Sequence, residues 1–412
     1  MSYSKSVYFI PAWFDDFEDF TEKLSKEKLL WERVDSQQYS PRYLLNYAVR
    51  IAQNESLFQL FNLVNASSLN IYMYEEELDL KNIPQIEQVR MACFSTGVGF
   101  LEFWINYDGM TPEEISDFAY LFKKATKMCG KNTENNICTL YDVAKSILPE
   151  NLNANLFFTS TAPFKYECSC FHFIHIDESP EDNKQNQDRL YRLSRSYNTN
   201  FSFSFESDYD MVYKSSESDQ WGGSSEGLVN ITYDSKNDES DYYLHHLKLS
   251  HLCIDYYFLY LLLLNQRFAS IQYINDIACV FGKSQAAITH LNSRIVKLKT
   301  VFSFNVISDD KVFQNVYSRM YSILEIEHLL ADIVDNEEQM QIVQNARSAK
   351  TEQLSNKFLF GISILSLFSA LIDASNYFDR INALRPLATI LGFLCVCATI
   401  TLCVVWLIKS QK

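Results

Sequence analysis

Two apolar stretches close to the end of the chain decide its architecture: FLFGISILSLFSALI at residues 358–372 and LATILGFLCVCATITLCVVWLI at residues 387–408. A helix that crosses a bilayer needs about 20 mainly apolar residues. The second stretch has this length, and the first reaches it when it continues to Asn376. We therefore predict a C-terminal hairpin of two transmembrane helices, at about 357–376 and about 387–408, attached to a large soluble N-terminal portion.

Basic residues around this hairpin predict its orientation. Five of them flank the hairpin and two lie in its short connection. They are Arg347, Lys350, Lys357, Lys409 and Lys412 on the flanks, and Arg380 and Arg385 in the connection. Lys and Arg are enriched in cytoplasmic segments beside membrane helices, and the start MSYSKSVYFIPAWFDD lacks the apolar run of a signal peptide. We expect a multi-pass protein of the inner (plasma) membrane, targeted by the hairpin, with both termini in the cytoplasm.

The composition argues against several classes of protein. The net charge is −15, with 36 basic and 51 acidic residues. Binding to a nucleic-acid backbone requires clustered Lys and Arg, so we expect no direct nucleic-acid partner. The ten cysteines show no disulfide-framework spacing, which agrees with a reducing cytoplasm. No nucleophile–base pair or paired-carboxylate motif stands out, and we expect no enzyme.

Residues 1–240 predict an α+β domain that senses a ligand. Helical spacing and period-2 alternation both occur in it, and Thr111 followed by Pro112 predicts the start of a helix. The predicted elements are helical spacing at 43–64, a strand pair at 89–107, strands at 164–176 and 200–205, and loops at 177–188 and 214–227.

Residues 241–356 predict long helices, because Gly and Pro are few there. The helical runs lie at 242–268, 284–302 and 309–356, and the last continues into the first apolar stretch. We therefore expect a helical stalk at 241–356 between the α+β domain and the hairpin at 357–412.

This order of parts resembles the CorA family of metal-ion channels. The resemblance is best over roughly 241–412. It rests on a cytoplasmic α/β domain, long helices, one helix that continues into the membrane, and a terminal second helix. It implies a homopentamer in which the long helix and the first membrane helix line the pore. The second membrane helix would form an outer ring.

The family's Gly-Met-Asn signature, at the outer end of the first membrane helix, is missing. Residues 373–377 read DASNY, and only Asn376 can stand for the signature asparagine. The connection between the two membrane helices contains one acidic residue, Asp379, and two basic residues, Arg380 and Arg385. The outer entrance of the pore would therefore be net positive and would not concentrate divalent cations. These departures resemble a divergent branch found beside type III CRISPR systems. There a nucleotide second messenger, an adenylylated S-adenosylmethionine (SAM-AMP), gates a membrane effector of antiviral defence.

A stripe on the first membrane helix predicts the pore lining. Its residues are Leu359, Ile362, Ser363, Ser366, Ser369, Asp373 and Asn376. The last four are spaced by 3, 4 and 3 residues and share one helical face. The apolar inner end would gate by dewetting. Close helix packing is the alternative for the serines, and a place beyond the hydrocarbon is the alternative for Asp373.

Two patterns predict ligand contacts in the α+β domain. Three arginines in RLYRLSRS have helical spacing, and guanidinium groups suit phosphate. A tryptophan followed by two glycines, in the predicted Ser-rich loop, would stack on adenine and let backbone amides approach phosphate. A solvated helix face and an ordinary loop are the alternatives. The predicted ligand-binding residues are Arg189, Arg192, Arg195, Trp221, Gly222 and Gly223.

Patterns for metal binding are weaker. The segment 168–175 contains C-x-C-x-H-x-x-H, but on a strand its first three members share one face and His175 lies on the other, which favours a buried strand over zinc. For His245, His246 and His251 we favour packing. Acidic residues in 325–338 are either a solvated face or sites for divalent cations between subunits. The expected cofactor is an adenosine nucleotide or a divalent cation, and no metal site is assigned.

We favour a CorA-like channel gated by a nucleotide such as SAM-AMP. One alternative is a divalent-metal (Mg²⁺) transporter, which the missing signature disfavours. Another is a membrane-anchored sensor or scaffold, which the polar stripe and Asp373 disfavour. A membrane-tethered nucleotide hydrolase is the third, and it lacks a catalytic set.

Overall fold

The computed structural model describes the greater part of the chain. The described residues are 3–26, 30–35, 40–66, 71–73, 84–124, 128–130, 137–138, 140–148, 168–177, 183–201, 212–235, 238–280 and 285–379, together with Ile390. The chain divides into two compact units, Met1–Asn336 and Glu337–Lys412. The sequence predicts boundaries at 240 and 356 instead.

A nine-stranded sheet forms the centre of the first unit. The strands of the described chain are β1 (Ser4–Trp13), β2 (Trp31–Arg33), β3 (Phe58–Leu63), β4 (Ile71–Met73), β5 (Gln85–Phe94), β6 (Val98–Asn106), β7 (Met128–Gly130), β8 (Ile137–Cys138), β9 (Ser169–Ile176), β10 (Val212–Ser216), β11 (Asp219–Gly223) and β12 (Gly227–Tyr233). The order in the large sheet is β10-β11-β12-β9-β1-β6-β5-β3-β2, and β4, β7 and β8 form a small sheet. Neighbours in the large sheet are antiparallel, except for the parallel pair β9 and β12.

Helices and π-helical turns account for the remaining regular structure of the described chain. The helices are α1 (Phe17–Lys26), α2 (Asn46–Gln53), α3 (Pro112–Lys124), α4 (Leu140–Ile147), α5 (Asn183–Arg195), α6 (Asp238–Tyr242), α7 (Lys248–His251), α8 (Tyr257–Val280), α9 (Gln285–Val301), α10 (Lys311–Ile323) and α11 (Ile326–Asp379). Two π-helical turns, Tyr243–Leu247 and Leu252–Tyr256, join α6 to α7 and α7 to α8.

Apolar side chains pack on both faces of the large sheet. On one face, Phe118 of α3 and Leu101 of β6 belong to a continuous apolar cluster. On the other, Tyr257 of α8 stacks on Phe9 of β1, with 6.1 Å between ring centroids. All residues of β6 except the last are buried, as expected of a strand that is covered on both sides.

The segment Tyr243–Cys279 is long and apolar enough to cross a bilayer, judged by length and composition alone. Its most apolar window is 67% buried inside the protein. Tyr260, for example, is fully buried and packs edge-on against Phe9 and Phe171. A helix that is apolar on all sides and enclosed by protein is typical of a core, so we interpret this segment as the core helix of the first unit.

Several local predictions are confirmed. The strand pair at 89–107 is the hairpin β5–β6, whose turn contains Gly97 at φ +86°. Helix α3 begins at Pro112, directly after Thr111. The strand predicted at 164–176 is present from Ser169 as β9, and its first residues, 164–167, lie outside the described part of the chain.

Other local predictions are wrong. The segment 43–64, predicted to be helical, is helical only in α2, and its second half forms β3. The apolar residues of FQLFNL also suit a strand, and this strand pairs with β5. The run 309–356 is not one helix: α10 ends before Glu325, whose φ of +54° breaks the helix ahead of α11. The predicted loop 214–227 contains the end of β10 and the whole of β11, and α5 begins inside the predicted loop 177–188. Of the strand predicted at 200–205, residues 202–205 lie outside the described chain.

Candidate functional site

A cleft between α3 and α5 brings together two of the three predicted arginines. Its volume is about 170 Å³, and Arg189 and Arg192 line it. The other lining residues are Pro112, Glu113, Ser116, Asp188, Leu193 and Thr199. Pockets that enclose a drug-sized ligand start at roughly 300 Å³. The cleft is therefore too small to enclose a whole nucleotide, and it fits only part of a larger ligand.

The beginning of α3 forms one wall of this cleft. Thr111 and Glu114 make a reciprocal capping box: the Thr111 amide donates to Glu114 Oε2 (2.8 Å), and the Glu114 amide donates to Thr111 Oγ1 (3.2 Å). Pro112, at the first helical position, lines the cleft. The positive end of the helix dipole therefore lies beside the two arginines, and it adds to their attraction for an anion.

Each arginine of the cleft is already paired with a carboxylate. Arg189 Nε donates to Glu113 Oε1 (2.9 Å), and Arg192 Nε donates to Asp188 Oδ2 (3.1 Å). Arg192 also donates to the Asn198 carbonyl through Nη1 (2.8 Å). The two guanidinium groups and two carboxylates leave no net charge. A ligand that carries charges of both signs suits this set better than a bare polyanion, which would have to compete with both acids.

Arg195, the third predicted arginine, lies outside the cleft. Its guanidinium carbon is 4.0 Å from the centroid of the Tyr191 ring. This is a cation–π contact along the same helix. Helical spacing alone therefore grouped three arginines, whereas the fold uses only two of them to line the cleft.

The residues that complete the cleft include partners that no sequence pattern connects to the arginines. Glu113 and Thr199 are 76 and 10 residues away from Arg189 in the chain, so spacing does not connect them. Thr199 is held by Asp117, which accepts from the Thr199 amide at 2.7 Å. Asp188 could have been found, because it precedes Arg192 by four residues on one helix and that spacing favours an ion pair.

Trp221 is not a surface residue of a loop, and that part of the prediction is wrong. It lies in β11 and is 2% exposed. Its ring packs against Tyr256 (4.5 Å between centroids) and Phe171, and Lys248 Nζ lies 4.9 Å from its centroid. A ring enclosed in this way has no free face for a base, so Trp221 is a core residue in this structure.

Gly222 and Gly223 allow close helix packing instead of opening space for a ligand. A Cβ atom on Gly222 would lie 3.0 Å from Leu190 Cβ of α5, and one on Gly223 would lie 2.4 Å from Met320 Sδ of α10. The absence of side chains therefore lets α5 and α10 approach β11. The expectation that these two glycines border an open cradle for phosphate is not supported by this packing.

The C-x-C-x-H-x-x-H segment forms the interior strand β9. Burial raises the pKa of Cys168 to about 12 and that of Cys170 to about 11, and it lowers the pKa of His172 to about 3. The thiols thus stay protonated at neutral pH, which disfavours them as metal ligands. His172 Nδ1 is hydrogen-bonded to Ser6 Oγ, and Cys170 Sγ lies 3.4 Å from Ser196 Oγ. The preference for a buried strand agrees with this environment.

The predicted pore-lining residues all lie in α11. Five members of the stripe have exposed side chains: Leu359, Ile362, Ser363, Ser366 and Ser369. Asp373 and Asn376 follow in the same helix, which ends at Asp379. The first predicted membrane helix, 357–376, is thus helical along its whole length. The second, 387–408, lies outside the described residues apart from Ile390.

Comparison with known proteins gave no relative: no protein-family model, no curated protein and no solved structure matches this chain. The CorA-like assignment stays a prediction that rests on the sequence.

Proposed function

We propose that this protein is a CorA-like, homo-oligomeric ion channel of the membrane, opened by a ligand that binds its cytoplasmic α+β portion. The observation that carries the proposal is the exposed apolar surface of α11 in the second unit. Leu354, Phe358, Leu359 and Ile362 have exposed fractions between 48% and 72%. Such a surface calls for lipid or further copies of the chain around it.

Burial of these apolar side chains would release enough free energy to drive α11 out of water. Burial of one large apolar side chain contributes about 1.5–3 kcal/mol, so several neighbouring ones favour transfer out of water strongly. An inert anchor would satisfy this need with an entirely apolar helix. α11 instead carries Ser363, Ser366 and Ser369 along the same segment, and hydroxyl groups in a membrane helix are suited to a pore lining or to contacts between helices.

The cleft between α3 and α5 supports a ligand of mixed charge. Arg189 and Arg192 would bind a phosphate, while Glu113 and Asp188 would bind a cationic group. SAM-AMP combines a phosphate with a sulfonium and an amino-acid group, so its chemistry matches both kinds of side chain. Ligand binding opens the channel only if the open state has the higher affinity for the ligand.

The test is ion flux through liposomes that contain the full chain. We expect flux to appear with SAM-AMP and not with ATP or buffer alone. Arg189→Gln with Arg192→Gln should raise the ligand concentration needed for half-maximal flux at least about tenfold, equal to about 1.4 kcal/mol. Arg195→Gln is the matched control, since it removes the same charge from the same helix outside the cleft, and it should leave that concentration unchanged.

Three other results would contradict parts of the proposal. Mg²⁺ flux without any nucleotide would identify a metal transporter. A monomeric mass in detergent would exclude a pore formed by several copies and favour an anchored sensor. Equal responses from the Arg189→Gln, Arg192→Gln protein and from Arg195→Gln would remove the cleft from ligand binding while leaving the channel itself in place.

A further inference from the structure

Three side chains from distant parts of the chain meet at one end of the parallel strand pair in the first unit. His175 is the next-to-last residue of β9, and Asp234 directly follows β12. His245 comes from the π-helical turn Tyr243–Leu247. Such turns occur mostly as single insertions in α-helices and are frequent at functional sites. Here the turn places an imidazole beside the sheet.

The potential ligand atoms of this cluster are close to one another. His175 Nε2 is 3.2 Å and His245 Nε2 is 3.1 Å from the same atom, Asp234 Oδ1. The two imidazole rings are 4.4 Å apart and inclined by 67°. All three ligand atoms lie within 4.8 Å of one another, and this is the one such group among the described residues.

These separations fit a tetrahedral metal ion. Zn²⁺ binds histidine nitrogen at about 2.0–2.1 Å and carboxylate oxygen at about 2.0–2.2 Å. The edges of a tetrahedron with such bonds are about 3.3–3.4 Å long. The two nitrogen–oxygen distances are therefore within a few tenths of an ångström of those in a loaded site. The two nitrogen atoms lie within 4.8 Å of each other, and rotation of the partly exposed His245 and Asp234 side chains would bring them to the tetrahedral edge length.

The surroundings hold the buried imidazole in the required orientation. Thr232 pairs with His175 across the parallel strands, and its Oγ1 lies 2.9 Å from His175 Nδ1. A hydrogen bond at one ring nitrogen directs the other toward a metal, as in most histidine ligands. His175 thus presents Nε2 to Asp234.

The cluster has a way in from solvent and a candidate fourth ligand. The His175 side chain is fully buried, whereas those of His245 and Asp234 are 18% and 39% exposed. Asp177 Oδ1 is 3.5 Å from His175 Nε2, and this side chain is 60% exposed. An ion could enter from the carboxylate side, with Asp177 or water at the fourth position.

We propose that His175, Asp234 and His245 bind a divalent transition-metal ion of the Zn²⁺ type. Two imidazoles select Zn²⁺, Co²⁺ or Ni²⁺ over Mg²⁺ and Ca²⁺, which prefer oxygen ligands. On metal binding the proton of each neutral imidazole moves from Nε2 to Nδ1, so that both Nε2 atoms bind the ion and His175 Nδ1–H donates to Thr232 Oγ1. The ion would fasten the π-helical turn to the sheet and so fix the start of the helical region 238–280. This inference does not depend on the proposed channel.

The experiment is metal titration of the full-length protein in detergent, purified without a polyhistidine tag and stripped with chelator. We expect one Zn²⁺ per chain by calorimetry, a tetrahedral visible spectrum on addition of Co²⁺, and no binding of Mg²⁺ at this position. His245→Gln and Asp234→Asn should lower the Zn²⁺ affinity at least about tenfold. His246→Gln, which changes the neighbouring histidine of the same turn, should bind like the original protein.

Circular dichroism of each variant establishes that it is folded, and His245→Gln is the variant of choice because His245 lies near the surface. Absence of Zn²⁺ and Co²⁺ binding by the original chain would overturn the proposal. Equal binding by the original chain and by His245→Gln would do the same, as would Mg²⁺ binding that competes with Zn²⁺ at one equivalent.

Discussion

Asp219 and Lys248 form a buried ion pair in the first unit. Both side chains are buried, and Lys248 Nζ lies 2.8 Å from Asp219 Oδ2. Burial alone would raise the pKa of Asp219, but the Lys248 charge and the hydrogen bonds from Lys248, Ser215 and Asn230 together outweigh it, and the pKa is lowered. Asn230 Nδ2 also donates to the carboxylate at 2.7 Å. The Asp219 carboxylate is therefore favoured in its charged form, and its ion pair with Lys248 joins α7 to β11.

Loss of one partner should be costly. Lys248→Met leaves an uncompensated buried carboxylate, and we expect it to lower the free energy of unfolding by about 3–5 kcal/mol. Lys248→Met combined with Asp219→Asn should recover much of this loss, because the isolated charge is then removed. Thermal unfolding in detergent measures both, with Lys311→Met, an exposed lysine of α10, as the control. If Lys248→Met unfolds no earlier than Lys311→Met, the pair does not form as described.

Glu102 gives the protein a pH dependence of its own. It is completely buried in β6, where the hydroxyl of Tyr257 and the indole of Trp104 donate to its carboxylate. Burial raises its pKa from 4.5 to about 7, although Arg90 and these hydrogen bonds lower it in part. The folded state therefore binds this proton more tightly than the unfolded state does.

The sign of the effect follows from linkage. Between pH 4.5 and about 7 the folded state holds more of this proton, so stability falls as the pH rises through that window. Once the pH is above 7, the free energy of unfolding has fallen by a total on the order of 3 kcal/mol. We expect the unfolding temperature to drop over this range, and the drop to be smaller in Glu102→Gln. Glu32→Gln, which changes an exposed residue of β2, should leave the profile unchanged. A profile of Glu102→Gln that parallels the original protein would contradict a raised pKa.

At the scale of elements, α5 depends on Gly222. A methyl group there would meet Val229 Cγ1 at 2.9 Å and Leu190 Cβ at 3.0 Å. Gly222→Ala should therefore push α5 from the sheet and cost about 1–3 kcal/mol of stability, as overpacked cores do. Because α5 carries Arg189 and Arg192, the same change should weaken ligand binding in the cleft.

The matched control is Gly361→Ala in α11, where an added Cβ has nothing within 4 Å in the single chain. We expect this change to leave the packing of α5 on the sheet intact, because it lies in the other unit. Unfolding temperatures of both variants are compared with that of the original protein. An unchanged unfolding temperature of Gly222→Ala would mean that β11 and α5 are not packed as closely as the structure has them.

The elements that the sequence predicted correctly have local signals. Thr111 and Pro112 mark the start of α3 by capping and by a fixed φ, and Gly97 supplies the positive φ of the β5–β6 turn. β11 could not be predicted in this way. Its glycines and the serines around it favour a loop, and it is a strand because β12 pairs with it and α5 and α10 pack on it.

The two candidate sites also could be predicted from the sequence only where local spacing connects their residues. Helical spacing in RLYRLSRS was enough to place Arg189 and Arg192 on one face, and both line the cleft. Glu113, the partner of Arg189, is by contrast brought near only by the packing of α3 on α5. The cluster of His175, Asp234 and His245 joins three segments through the parallel pairing of β9 with β12 and through a π-helical turn. Neither feature has a local pattern that reveals it.

At the scale of the whole molecule, the proposed channel requires an apolar constriction in α11. Leu359 and Ile362 form the inner end of the stripe, and both side chains are exposed in the single chain. A ring of such side chains around a symmetry axis excludes water and blocks ions until it widens. A hydroxyl in place of each apolar side chain would keep the ring wet.

Leu359→Ser combined with Ile362→Ser should therefore produce ion flux in liposomes without any ligand. We expect at least about a tenfold increase over the original chain, which corresponds to about 1.4 kcal/mol of barrier. Ile364→Ser is the matched control, since residue 364 lies on the opposite side of the helix from the stripe. Flux that stays at the background level in the double variant, or that rises equally in Ile364→Ser, would mean that this face of α11 does not line a pore. A rise confined to Leu359 and Ile362 would connect the exposed stripe of one helix to conduction by the assembled protein.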